Sequence, residues 1–487
     1  MTQPNRLKSI VRLLSAGAIG SLLHSFAHAA RSVSQFGVTW TFDADYPTGQ
    51  FANGDWWIVG PITLVSISPE TVLQDGETLH GSMMNPRPNQ PQAFDSRISD
   101  NPFESSANIA RRLPLTIPAG TSILSSESVA RKTTGKKPQL KTIAVLTVLA
   151  EAPAPGSFRP PYAGADKTIR WNVSDLDFSR VRTLPRPRST PSLSKVERSV
   201  ARPLIELRSN WTGNFLKPAQ NSPGYGREMS HLVADALLTV NLDYSPEQKR
   251  KTIIGLVQWG LDIYGAAREG MTWGNDGGHN HGRKPVLLFA GALLQDDAML
   301  AYADASRHFI FQEDQQTWFV GLPDIGRRHQ AADGRKRLSY SIDMIGLAEW
   351  GEKHTGAPER DGSNWDAKYR DVCGASMAGT LLAMRLMGLE EAWNWPAAFA
   401  YIERFHEREA PRAGRSPNRI QPFVRDLWDA APRQLPKRTA SASTTSIRPR
   451  SARPHRTFAH RAFRPPLAAV AHRLPPTLSN LKSFSVN

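Results

Sequence analysis

The chain has 487 residues, 40% hydrophobic and 21% charged, with 37 prolines, 35 glycines and one cysteine. That length exceeds the usual size of one domain and predicts two domains plus a tail, while the lone Cys373 excludes an intramolecular disulfide framework. The formal charge of +16 invites a nucleic-acid reading, but residues Arg433–Asn487 hold 11 Lys and Arg and no Asp or Glu, leaving +5 for the rest. The basicity is therefore largely a property of the tail, and with no interleaved basic and aromatic pattern no specific nucleic-acid partner is expected.

Arg6, Lys8 and Arg12 precede a mostly apolar stretch from Leu13 to Phe26 and the small residues of Ala27-His28-Ala29, which predicts a signal peptide over residues 1–29. The stretch is shorter than the roughly 20 apolar residues of a spanning helix and is interrupted by Ser15, Ser21, His24 and Ser25. No later segment is apolar enough to cross a bilayer. The expectation is an exported protein, secreted or periplasmic, with no integral membrane segment.

Residues 31–185 carry strand signals separated by turn chemistry: Phe36 to Phe42, the Asn53-Gly54-Asp55 turn, Trp56 to Ile67, Leu113 to Ile117, Thr142 to Ala150 and Thr168 to Val173. Short strands divided by Pro and Gly clusters predict a β-sandwich-like domain. A Pro-rich linker follows at 186–192. From residue 193 the apolar period becomes about 3.6: Leu232, Val233, Ala236, Leu237 and Val240 share one helix face, as do Ile253, Leu256, Val257 and Leu261. Further helices are expected at Pro285 to Leu294, Ala298 to Phe311, Ser341 to Glu352, Ala367 to Met387 and Ala397 to Glu407. The sum is a multidomain α and β chain, with an all-α domain over 193–432 and a Pro/Ser/Thr/Arg-rich tail, 433–487, expected to be disordered.

The densest set of reactive side chains runs from Trp273 to Lys284, with four glycines among Asn275, Asp276, His279, Asn280, His281 and Arg283. Glycines let backbone approach a ligand, and the helix opening at Pro285 aims its amides at the loop, so an anion is favoured there. Turn chemistry with internally paired charges is the plain alternative. A second cluster, Tyr225-Gly226-Arg227-Glu228, also enters a helix: Tyr225 can act as acid or base and Arg227 can hold a carboxylate. Tyr340, Tyr369 and Arg370 are further candidates. His279-x-His281 with Asp276 has the donors for zinc, but a single pair lacks the spacing of a metal site, so no cofactor is assigned. Thirteen tryptophans suit a carbohydrate cleft, where rings stack on sugar faces, or else packing.

The pairing of a β-rich with a helical region, the phrase Asn53-Gly54-Asp55-Trp56-Trp57, the Tyr225-Gly226-Arg227-Glu228 helix entry and the Gly277–Lys284 loop together resemble secreted bacterial polysaccharide lyases with an α/α toroid. The resemblance implies a toroid-like helical domain and β-elimination on an acidic, uronate-containing polysaccharide. It implies Asn275 and Arg283, with Arg227, Lys284 and Trp273, as substrate-binding groups. His279 or His281 would be the base, and Tyr225 or Tyr340 the acid. Two other classes stand beside it: a glycoside hydrolase using Glu228, Asp235 or Asp276, and a non-catalytic glycan binder.

Overall fold

The computed structural model describes residues 28–98, 101–133, 138–209, 211–220, 226–325, 340–351, 373–409 and 420–430. Tyr225, Tyr369, Arg370, most of the signal-peptide stretch and the whole tail lie outside the described residues.

The N-terminal region is one curled sheet. β1 (His28–Gln35) and β2 (Val38–Gln50) form a hairpin across Phe36-Gly37, both at positive φ (53° and 86°), the backbone that matches the twist of a tight hairpin. Along β2 the buried Val38, Trp40 and Phe42 alternate with polar residues. Its first half pairs with β4 (Ile62–Ser68) and its far end with β3 (Trp56–Val59); a register shift at Thr41/Phe42 lets the long strand bend between them. With β5 (Val72–Gln74) and β6 (Glu77–Leu79) forming a separate small hairpin, β7 (Ser82–Met84), β8 (Leu115–Ile117), β9 (Thr121–Ser128) and β10 (Leu140–Leu149) complete the main sheet. Its order is β7-β9-β10-β3-β2-β4-β8, with β1 also on β2. β10 is buried along nearly its whole length because both of its faces are covered, which is why it reads as a continuous apolar run. The expected strand at Thr168 to Val173 does not form. Asn172 instead caps a short 3-10 turn at Val173–Asp175, its side chain and that of Asp175 satisfying each other's backbone amides.

The following region is helical: α1 (Leu193–Val200), α2 (Gly226–Val240), α3 (Pro246–Arg268), α4 (Arg283–Leu294), α5 (Asp297–Ala303), α6 (Gln312–Gln316), α7 (Ala378–Leu386), α8 (Glu390–Trp393), α9 (Pro396–Glu409) and α10 (Pro422–Ala430). α3 starts at a Ser245/Gln248 capping box with Pro246 in its first turn, and is buried from Thr252 to Ala267. The helix expected at Ser341 to Glu352 is absent. Gly346 at φ 88° ends a short turn, and β12 (Ala348–Trp350) pairs with β11 (Thr317–Phe319) in a two-stranded hairpin. Among the described residues no helix is long and apolar enough to cross a membrane.

Sheet and helices belong to one compact unit, Met1–Leu435. A buried ionic triad ties them. Arg159 Nε is 2.6 Å from Asp55 Oδ2, in the turn before β3, and its Nη atoms are 2.9 and 2.6 Å from the two carboxylate oxygens of Asp262 on α3. All three side chains are fully buried. The Asn53-Gly54-Asp55 turn thus serves as an anchor between the two regions. The chain just before the Pro-rich linker is anchored too: Leu184 exchanges backbone hydrogen bonds with the Asn241–Asp243 corner after α2.

Candidate functional site

The glycine-rich loop from Trp273 to Gly282 lies between α3 and α4 and is held by α6, of which Gln312, Glu313, Gln315 and Gln316 bond the loop while Asp314 bonds Lys284 at the start of α4. Gln312 Oε1 accepts from Asn280 N at 2.9 Å, and its amide nitrogen donates to Gly277 O. Glu313 Oε1 accepts from Gly282 N at 2.7 Å. Gln315 Oε1 accepts from Asn275 N at 3.0 Å, and Gln316 Nε2 donates to Asn275 Oδ1 at 3.0 Å and Gly277 O at 2.8 Å. Lys284 Nζ, 2.9 and 2.7 Å from the two oxygens of Asp314, also donates to Trp393 O and sits 4.5 Å from the Trp393 ring. A polar helix buried on four of five residues is costly unless every group is paired. Here most of the partners are the loop itself, which preorganises it, while the buried Glu313 Oε2 has no hydrogen-bond partner among the described residues.

Two glycines let the start of α2 reach this loop. A Cβ on Gly278 would stand 2.9 Å from Arg227 Cβ, and one on Gly282, at φ 91°, would stand 3.1 Å from Ser230 Cα. The two clusters marked in the sequence, nearly fifty residues apart, therefore meet.

The individual side chains divide into those committed inward and those around the meeting point. His281 is fully buried with both ring nitrogens engaged. Nε2 lies 2.7 Å from Gln316 Oε1, and because the Gln316 amide nitrogen is occupied as a donor, this oxygen accepts and the proton belongs on Nε2. Nδ1 lies 2.8 Å from Ser376 Oγ. Burial pulls the His281 pKa down to about 3, with the Arg283 charge adding to the effect. Arg283 is paired with Glu206 (Nη2–Oε1 2.8 Å, Nε–Oε1 3.0 Å) and donates to the carbonyls of His279 and His281. Trp273 donates to the other Glu206 oxygen at 2.9 Å and stacks on Phe311 at 5.2 Å between centroids, with no exposed surface. Arg283, Lys284 and Trp273, expected to bind substrate, are thus internal struts of the loop, and Trp273 offers no ring face to a sugar. The same holds for Trp40, Trp259, Trp350 and Trp393, all fully buried. Tyr340 is elsewhere, in a small cluster with Val320 and Met344 beside Trp318.

His279 is held differently. Asn214, in the 3-10 segment Trp211–Leu216, donates from Nδ2 to His279 Nδ1 at 3.0 Å, while its Oδ1 accepts from Lys217 Nζ at 3.1 Å. With Lys217 fixing the amide orientation, a neutral His279 carries its proton on Nε2. Burial pulls Lys217 down to about 7, and Arg283 adds to this. Asp276 accepts from Trp211 N at 2.6 Å and is not a shared ligand with the histidines. Among the described residues no group of three or more His, Cys, Asp or Glu is placed to hold a metal ion.

Along α2 a polar stripe faces away from its apolar side: Arg227 paired with Glu228 at 3.2 Å, then His231 and Asp235. Among the described residues Glu228 Oε2, His231 Nε2 and Asp235 Oδ1 are buried atoms with no hydrogen-bond partner. Burial raises Asp235 to about 6 and lowers His231 to about 4. Glu228 opens onto a cleft of about 580 Å³ between α1, α2 and the β1–β2 turn, lined also by Phe36, Lys195, Arg198, Arg202 and Leu232.

Asn214, Lys217, Glu206, His231 and α6 escaped the motif reading. The Gln-Glu-Asp-Gln-Gln run between Phe311 and Trp318 was the available signal, since five polar residues flanked by large apolar ones are either a solvated turn or a buried polar hub. No family model, no curated protein and no solved structure matches this chain.

Proposed function

We propose that the protein is an exported carbohydrate-active enzyme, a lyase that cleaves a uronate-containing polymer by β-elimination. In this reading the curled sheet belongs to a sandwich-like domain and the helices to a toroid-like one. The observation that carries it is the meeting of the Arg227 helix entry with a preorganised glycine loop around His279. Elimination needs a group that neutralises the carboxylate, a base for the C5 proton and an acid for the C4 oxygen. Arg227 and Asn275 stand at the loop for the first. The Asn214–His279 hydrogen bond, which puts the proton of the neutral ring on Nε2, suits His279 to the acid role, and the base then falls to the tyrosine of the α2 cluster, Tyr225. His281, with both nitrogens engaged, positions the loop. Incubation with a panel of uronate polymers should generate new ultraviolet absorbance from the unsaturated product, and His279→Ala should abolish it. No absorbance with any polymer would overturn the lyase reading.

One observation favours a hydrolase instead. Glu228 and Asp235 lie seven residues apart on one face of α2, about 10 Å along the axis at 1.5 Å per residue, near the roughly 6.5–9.5 Å spacing of inverting carboxylates. Asp235, raised to about 6, has the character of an acid. New reducing ends without ultraviolet absorbance, lost in Asp235→Asn, would select this reading.

A further inference from the structure

The cleft between α1, α2 and the β1–β2 turn carries cations that neither catalytic reading uses. Lys195, Arg198 and Arg202 line it, and none of the three has a carboxylate partner within ion-pair distance among the described residues. Arg202 is held in place: its Nη1 donates to Thr142 Oγ1 at 2.8 Å and its guanidinium lies 4.4 Å over the Phe36 ring. Burial with no compensating carboxylate lowers its pKa. A fixed, partly desolvated cation without a counter-ion gains most from an anionic ligand. Beside these cations stands one carboxylate of the lining, Glu228, whose side chain is about one-third exposed and whose Oε1 lies 3.2 Å from Arg227 Nη2. Three cations without an ion-pair partner and one partly exposed carboxylate in a single cleft suit a ligand that brings both an acid group and hydroxyl donors.

We infer that this cleft is a binding site for a short stretch of acidic sugar chain, with Lys195, Arg198 and Arg202 on its acid groups and Glu228 accepting from its hydroxyls. The inference rests on the carbohydrate reading above, whether lyase or hydrolase. A simple anion would use the cations and be repelled by Glu228. A neutral sugar would leave three cations unpaired.

The test is calorimetric titration of the full chain with galacturonate hexamers, sulfated heparin hexamers, a neutral glucan hexamer and inorganic phosphate. Binding of an acidic hexamer but not of the neutral hexamer or phosphate supports the site, and the two acidic arms tell carboxylate from sulfate. Lys195→Gln with Arg198→Gln, both exposed and free of packing roles, should weaken binding by about tenfold at unchanged melting temperature. Glu228→Gln should weaken it as well, whereas purely electrostatic attraction would strengthen when a negative charge is removed. Unchanged affinity in the double variant, tighter binding in Glu228→Gln, or phosphate binding as tight as the hexamers would each overturn the inference. Acidic-hexamer binding lost in these variants, but with neither ultraviolet product nor new reducing ends from the wild type, supports the cleft and removes both catalytic readings.

Discussion

Replacing Arg159 by Met tests whether the buried triad holds sheet and helices together. The substitution keeps much of the side-chain volume but leaves Asp55 and Asp262, both without solvent exposure, facing each other with no cation. Removing one partner of a buried ionic group costs about 3–5 kcal/mol, because the remaining charge keeps its desolvation penalty. For a unit of this size the melting temperature should fall by roughly 4–6 °C. The loss should depend on pH with a definite sign. Burial raises Asp262 to about 6 even with Arg159 beside it. A carboxyl with a raised folded pKa contributes stability that is present below its unfolded value near 4 and is lost as pH rises through the folded value. Without the guanidinium the folded value rises further, so the deficit of Arg159→Met should be larger at pH 8 than at pH 5. Urea denaturation followed by circular dichroism at the two pH values measures both. The triple variant Arg159→Met, Asp55→Asn, Asp262→Asn should recover much of the loss, since the stranded charges are gone. A deficit below about 1 kcal/mol, or one that does not change with pH, would refute the reasoning: breaking a fully buried pair costs more than that.

Further outcomes follow from the site. His281→Ala should cost about 2–4 kcal/mol in urea denaturation, through a cavity and the loss of two buried side-chain hydrogen bonds, to Gln316 and Ser376. The folded pKa values of His231 and His281 lie near 4 and 3, so the stability they contribute is complete above about 6.5 and lost as pH falls through those values. His281→Asn should accordingly flatten the acid limb of the wild-type stability profile between pH 6 and 3. Asp235→Asn should stabilise on the order of 1–2 kcal/mol at pH 8 and have little effect near pH 4, because the raised carboxyl is already protonated there. Gly282→Ala should destabilise by about 1–3 kcal/mol, read by the same denaturation, because the residue needs positive φ and its Cβ would press on the Ser230 backbone.

Local patterns carried a good part of the architecture. Alternation placed Val38, Trp40 and Phe42 on one face of a strand, the 3.6-residue period located α3, α4 and α9, and Pro and Gly marked most of the boundaries. The glycine loop and the α2 entry were legible as clusters because Gly, His, Asn and Arg are concentrated there. What was not legible is what each charged group does. Arg283, Lys284 and Trp273 are the same residue types whether they bind a ligand or brace a loop, and only the placement of Glu206, Asp314 and Phe311 from 30 to 77 residues away makes them braces. The Ser341 to Glu352 segment has an apolar period compatible with a helix, yet a strand partner at Thr317–Phe319 captured it. Sequence determined where short-range periodicity and turn chemistry act, since those depend on neighbours along the chain. Tertiary structure decided burial and pairing of the charges, because the cost of an unpaired charge depends on which distant side chain arrives to meet it.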